Sequence, residues 1–312
     1  MSGRECRTVL VTGGAGFIGS HLISALAVRF PHWRILTVDN LQYCSSLKNL
    51  RSVEASSKYT FIPGDVCDPF LIKRLFATEK IDIVFHCAAE THTACLIHVF
   101  ISCRELVPVS VTLHACEEQC ILYLIIFLNS EFFPVLITRS SNVYGPHQHH
   151  EKVIPRFLSL IQQDQKCTIQ GSGLQSRHFL YVSDVTDAFL TLMEKGILGE
   201  IYNIGSSFEI PIIQLARELV KVKVKDVPEE ALVDWIEFVE DRPVTELRYP
   251  MISDKLHKLG WRPKVTWKEG IRRTIQWYEE NPNYWPSISE NEEESPASCD
   301  QTPSHAVPYH VR

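Results

Sequence analysis

The sequence predicts an α/β protein, a Rossmann-type doubly wound parallel sheet with a smaller C-terminal substrate lobe, and three observations carry that expectation. A β-branched run, Thr8 to Thr12, breaks into glycines at Gly13, Gly16 and Gly19 and restarts as a helix. A second apolar run, Arg34 to Val38, ends in Asp39, twenty positions after Gly19. Apolar runs and helical periodicity then alternate as far as His86.

The glycines remove a Cβ where a turn is tight, where backbone must approach a pyrophosphate, and where helix packs on strand. The helix from Phe17 to Arg29 offers Phe17, Ile18, Leu22, Ala25 and Leu26 to the sheet, and the amides around Phe17 and Ile18 point toward phosphates. An acid at Asp39 accepts ribose hydroxyls and repels a 2′-phosphate, which favours NAD over NADP. Tyr59 to Ile62 is the third strand, closed by Gly64-Asp65-Val66. Asp65 has two readings, an adenine ligand with Val66 covering the ring, or a turn aspartate capping the helix from Asp68 to Ala77. Ile81 to His86 is the fourth strand, and the small residues Ala88 and Ala89 after it allow close approach of a dinucleotide.

The pattern resumes with a strand over 133–140, followed by helices at Lys152 to Gln163, Ser183 to Lys195, Ile213 to Lys223 and Trp267 to Glu280. Short strands are expected at Cys167 to Ile169 and Glu200 to Ile204. The expected organisation is a cofactor domain over 1–140, a nucleotide-sugar lobe over 141–286, and a disordered Ser-, Glu- and Pro-rich tail over 287–312.

Of 312 residues, 45% are hydrophobic, and 31 Lys+Arg stand against 37 Asp+Glu for a net charge of −6. No basic run suggests nucleic acid or an anionic membrane as partner, and the apolar run 121–128 is too short to span a bilayer. The first strand follows the N-terminus with no apolar leader between, so a cytoplasmic location is expected. The ten cysteines lack paired spacing and read as free thiols, with no metal site indicated. His147, His149 and His150 read as the polar surface of a loop.

Several phrases together resemble the NAD-dependent dTDP-glucose 4,6-dehydratases of the extended short-chain dehydrogenases. They are Thr12-Gly-Gly-Ala-Gly-Phe-Ile-Gly-Ser-His21, the segment Asp39-Asn40 to Leu50, Gly64-Asp65-Val66-Cys67-Asp68, and Ala88-Ala89-Glu90-Thr91-His92. Further matches are Thr138 to Pro146, Glu151 to Pro155, Gly171 to Tyr181, Tyr202 to Gly205, Asp241-Arg242-Pro243 with Arg248-Tyr249, and Leu259 to Pro263. The resemblance implies NAD as cofactor, held by Gly13, Gly16, Phe17, Ile18, Gly19, Asp39, Asn40, Asp65, Val66, Ala88 and Ala89. It implies a nucleotide sugar of the dTDP-glucose type held by Asn142, Arg177, Asn203 and Arg242 at its diphosphate, with Lys152 near the base. Arginine forks and amide donors suit that anion.

The resemblance also implies a tyrosine with a lysine four residues on, and a Thr-Asp-Glu run that manages elimination. None of the ten tyrosines has that lysine, and Thr-Asp-Glu is absent. The stretch 95–132 stands where these groups belong and is much shorter, with Leu124 to Leu128 apolar throughout. A parallel crossover needs about a dozen residues or more, and only 129–133 separate that run from the next strand. Residues 121–128 are therefore expected to pair antiparallel with 134–139, to turn helical, or to stay unpaired. The chain reads as a dehydratase by descent whose middle has been replaced, impaired or inactive, with no catalytic residue assigned. Open beside it are a non-catalytic NAD- and nucleotide-sugar-binding protein and an unstable product without function. The resemblance implies a homodimer formed through first-lobe helices, one of which would be the tyrosine helix that the altered middle lacks.

Overall fold

The computed structural model describes residues 6–89, 110–114, 135–224, 227–241 and 247–286. Strands β1 (Thr8–Thr12), β2 (Arg34–Asp39), β3 (Tyr59–Pro63), β4 (Ile83–His86), β5 (Ser110–His114), β6 (Val135–Ser140) and β10 (Ile201–Ile204) form one sheet in the order β10-β6-β5-β4-β1-β2-β3. Every neighbouring pair is parallel. Side chains alternate between its faces. Val9, Val11 and Phe85 join Leu22, Ile23 and Leu26 of α1 (Phe17–Arg29) on one face. Leu10, Leu36 and Val38 meet Leu71 and Leu75 of α2 (Pro69–Thr78) on the other. The sheet is thus covered on both sides, as near-continuous apolar strands require. Leu22 and Leu26 are buried as expected, Ile18 and Ala25 pack partly buried against the same core, and Ile23 joins them unforeseen.

Of the three outcomes expected for 121–128, antiparallel pairing with 134–139 is excluded, because both neighbours of β6 are parallel strands. The strand beside β6 is β5, which pairs with both β4 and β6, so His86 lies opposite Leu113 and Thr138 opposite His114. Residues 115–134 then connect β5 to β6, a length that accommodates a parallel crossover, and the constraint inferred from 129–133 disappears. The run 121–128, the segments 95–109 and 115–132, Glu90 and the tail 287–312 lie outside the described residues.

Beyond β6 the chain makes β7 (Asn142–Tyr144), the helix α3 (Val153–Gln162), β8 (Cys167–Gln170), β9 (Ser176–Tyr181), α4 (Val182–Lys195), β11 (Glu209–Pro211), α5 (Ile212–Lys223), β12 (Ile236–Val239), α6 (Asp254–Lys258) and α7 (Trp267–Glu280). β11, β9 and β7 form a small mixed sheet, and β12 pairs with β8. A second core gathers Tyr144, Phe157, Phe179, Leu215, Leu219 and Ile275. Among the described residues no helix is long and apolar enough to cross a membrane.

Candidate functional site

The parallel register brings the C-terminal ends of β1, β2, β3 and β4 side by side, and the turns leaving them hold every described residue expected at a dinucleotide. Gly13 opens the first turn with φ +65°, and its amide donates to Val38 O at 2.9 Å. A Cβ there would lie 2.6 Å from Ala88 N, so β4's small-residue exit and the glycine require each other. At Gly19 a Cβ would sit 2.3 Å from Gly13 O, which makes this the contact that seats α1 on the turn. Gly16 is the N-cap of α1, no side chain caps that helix, and its first turn carries no acid. The amides of Phe17 and Ile18 therefore face the site as donors for an anion.

Asp39 is 6% exposed at the end of β2. Its Oδ2 accepts the Ala15 amide at 2.9 Å and its Oδ1 the Leu41 amide at 2.8 Å. Each oxygen retains a lone pair, so the carboxylate is held still while able to accept a pair of hydroxyls. Leu41 adopts φ +56° to make its contact. Asn40 Nδ2 donates to Asp65 Oδ2 at 3.1 Å. The Cys67 amide, 2.7 Å from Asp65 Oδ1, is the main cause holding that carboxyl below the usual carboxylate range. Asp65 is a turn aspartate, its Oδ1 closing on the Cys67 amide, while the helix cap is Asp68, whose Oδ1 accepts the Phe70 and Leu71 amides. Asp65 is left exposed beside Asn40, and Val66 packs partly buried against the Leu10 core. Behind Ala88 and Ala89, His86 Nδ1 lies 2.6 Å from Thr12 Oγ1, and burial pushes that histidine down to about 4. It is therefore neutral near pH 7. Missing Cβ atoms, free helical amides and a fixed buried acid fit a dinucleotide with unphosphorylated adenosine ribose.

The residues expected at the diphosphate divide into two groups. Asn142, at the start of β7, accepts the Tyr249 hydroxyl on Oδ1 at 2.5 Å, leaving Nδ2 to donate. Arg177 on β9 stands with its guanidinium carbon 4.7 Å from the centroid of the same Tyr249 ring. Tyr249 thus gathers Asn142 and Arg177, a role the sequence did not disclose. Arg248 fastens this segment, donating from Nε and Nη2 to the two carboxylate oxygens of Glu209, each at 2.6 Å. That guanidinium is the main cause holding the Glu209 carboxyl down to about 2. Asn203 and Lys152 are engaged elsewhere. Asn203 Nδ2 donates to Ile252 O at 3.1 Å, and Lys152, the N-cap residue of α3, pairs with Glu151 at 2.8 Å. Arg242 lies outside the described residues.

The histidine loop is not the polar surface that was expected. His147 takes φ +69° and stacks on Tyr284 at 5.7 Å and 5°, with Trp277 edge-on at 5.1 Å. His149 meets Trp285 at 4.9 Å and Tyr43 at 5.3 Å, and His150 lies tilted at 4.1 Å from His149. Burial pushes His147 down to about 3 and His149 to about 4. These partners come from the end of α7, from the segment after it and from Tyr43, all more than a hundred positions away, so only the aromatic density of Trp277, Tyr284 and Trp285 hinted at them.

Comparison with known proteins agrees with this geometry. The model of the NAD dependent epimerase/dehydratase family matches residues 9–95 and 107–205. The dTDP-D-glucose 4,6-dehydratase of Homo sapiens is 44% identical over 333 residues, covering 92% of this chain and 94% of its own. That of Dictyostelium discoideum is 30% identical over 362 residues, covering 90% and 83%. Among solved structures, the dTDP-glucose 4,6-dehydratase DesIV of Streptomyces venezuelae, with NAD bound, superposes with TM-score 0.78 at 26% identity, covering 89% of this chain and 99% of that one. Family model, relatives and fold agree: the chain belongs to the NAD dependent epimerase/dehydratase family.

Proposed function

We propose that this chain binds NAD and a nucleotide sugar of the dTDP-glucose type, and that it has lost the 4,6-dehydration its relatives are named for. The carrying observation is a contrast: the residues expected at the dinucleotide gather on the turns leaving β1 to β4, whereas no tyrosine in the sequence has a lysine four positions later and no Thr-Asp-Glu occurs. Length supports the same reading. Of this chain, 92% of 312 residues is about 287, against an alignment of 333, so the human relative carries about 46 positions without counterpart here.

In this reading the amides of Phe17 and Ile18 take the pyrophosphate where Gly16 leaves room for it, Asp39 and Asn40 the adenosine ribose, and Asp65 with Val66 the adenine. Gly13, Gly19, Ala88 and Ala89 keep the cradle clear of side chains. Arg177 and Asn142, held by Tyr249, meet the sugar nucleotide's diphosphate; the resemblance adds Arg242, and adds Lys152 and Asn203 on condition that they exchange Glu151 and Ile252 O for the ligand. Bound NAD would supply a hydride acceptor and donor. What is missing is the group that removes the sugar hydroxyl proton as hydride leaves, and the acid–base pair that eliminates water. Each such group contributes about 10²- to 10⁴-fold, so their joint loss leaves binding without turnover.

Thermal unfolding with and without saturating NAD, followed by a product assay on dTDP-glucose, tests this. A transition raised by NAD with no 4-keto-6-deoxy product supports the proposal. Product above a no-enzyme blank overturns the loss of catalysis, and a transition indifferent to NAD overturns cofactor binding.

A further inference from the structure

A chain of hydrogen bonds leads from the segment after α7 to the acid of the dinucleotide site. The Tyr284 hydroxyl donates to Asn49 Oδ1 at 2.5 Å. Asn49 is 2% exposed, in the 3-10 turn Leu47–Leu50 that follows β2, and its Nδ2 donates to Ala15 O at 2.7 Å. The Ser46 amide reaches the same oxygen at 3.0 Å. Ala15 in turn donates its own amide to Asp39 Oδ2. Both backbone polar groups of Ala15 are therefore clamped, one by the acid and one by the turn that Tyr284 holds. Lys48 closes the attachment, with Nζ 3.0 Å from Tyr284 O and 5.4 Å from its ring centroid. Tyr284 itself belongs to the second core's side of the molecule, edge-on to Trp277 at 4.7 Å and stacked on His147.

We propose that Tyr284 and Asn49 are positioning residues for Asp39, so that docking of the 281–286 segment on the Leu47–Leu50 turn and binding of the cofactor's adenosine ribose reinforce each other. The inference rests on the NAD reading above. Asp39 can accept ribose hydroxyls only in the orientation its two amide donors impose; the Tyr284 hydroxyl fixes the Asn49 amide that holds the Ala15 carbonyl, so its loss loosens one of that oxygen's two donors while the Ser46 amide remains. Coupling of this kind is reciprocal: NAD must also tighten the strap.

The test is a double-mutant cycle on NAD affinity, measured by calorimetry on the full chain. Tyr284→Phe keeps the ring and removes one neutral hydrogen bond, so NAD and ADP-ribose are each expected to bind about two- to tenfold more weakly. In an Asp39→Asn background the same change is expected to cost less than about twofold. Unchanged affinity for Tyr284→Phe, or an equal loss in both backgrounds, overturns the proposal, because a purely structural tyrosine would lower thermal stability alone. Amide exchange of the nucleotide-free protein gives a readout independent of NAD. Residues 13–16 are expected to exchange faster in Tyr284→Phe than in wild type, and identical exchange overturns the relay. Should wild type bind no NAD, the cofactor reading falls and exchange alone decides the relay. Lys48→Ala, exposed and outside the core, is expected to shift both readouts in the same direction and serves if Tyr284→Phe does not fold.

Discussion

Arg177 lies against the face of Tyr249 while the hydroxyl of that ring reaches Asn142, so one aromatic side chain sets the spacing of two expected diphosphate ligands. Cation–π contact and a hydrogen bond together restrain an arginine that would otherwise lose rotamer freedom on binding. Arg177→Ala is expected to weaken dTDP binding about 10- to 100-fold, the scale of a charge-assisted pair. Tyr249→Phe, keeping the ring, is expected to cost about two- to tenfold, corresponding to a neutral hydrogen bond. Calorimetric titration with dTDP checks both; an unchanged affinity for Arg177→Ala would remove that arginine from the diphosphate site.

Asp39 is expected to govern which dinucleotide binds. Asp39→Ala removes the hydroxyl acceptor and leaves the Ala15 and Leu41 amides without it, so NAD affinity should fall about 10- to 100-fold. The preference for NAD over NADP should shrink at the same time, since the charge that repels a 2′-phosphate is gone. Fluorescence titration with each nucleotide reads the ratio.

Two glycines in one turn are expected to fail differently. Gly19→Ala would drive a methyl to 2.3 Å from backbone at Gly13, which cannot move aside cheaply, and should destabilise the protein by about 1–3 kcal/mol without any ligand. At Gly16 the nearest atom to a new Cβ is Gly13 O at 3.2 Å, so Gly16→Ala should lower the melting temperature less than Gly19→Ala does while weakening NAD. Melting curves and NAD titrations on the two variants separate packing from ligand clearance.

His147, His149 and His86 are all pushed below the ordinary histidine value, chiefly by burial. The unfolded chain therefore takes up these protons first, and stability falls as pH drops from about 6.5 toward 4, by up to about 1.4 kcal/mol per pH unit for each histidine. His147→Asn, which tolerates the positive φ, should lower stability at pH 7 through lost stacking yet flatten the slope between pH 6.5 and 4. Melting temperature against pH, wild type beside variant, checks the difference in slope.

The cofactor side of the molecule was legible because its signals are local. Thr8–Thr12, the glycine turn and Asp39 lie within one βαβ unit, and steric demands at Gly13 and Gly19 leave few other residues possible. The partners of the substrate side were not legible, since Asn142, Arg177 and Tyr249 meet from positions far apart in the chain. The histidine loop misled for the same reason: three polar residues in a row gave no sign of Trp277, Tyr284 and Trp285. In the middle of the chain the strongest apolar run, Leu124 to Leu128, drew attention away from Ser110–His114. Hydrophobic intensity says little about which segment takes a slot in a sheet; β5 has three central residues of suitable type and twenty residues after it in which to cross back.

The position of β5 also bears on solubility. Parallel strands beside an empty slot would each present a row of unsatisfied amides and carbonyls, turning the centre of the sheet into two opposed edges able to recruit strands from other molecules. Five residues, pairing on both sides with β4 and β6, close that gap. This short strand leaves β4 and β6 without an open edge between them.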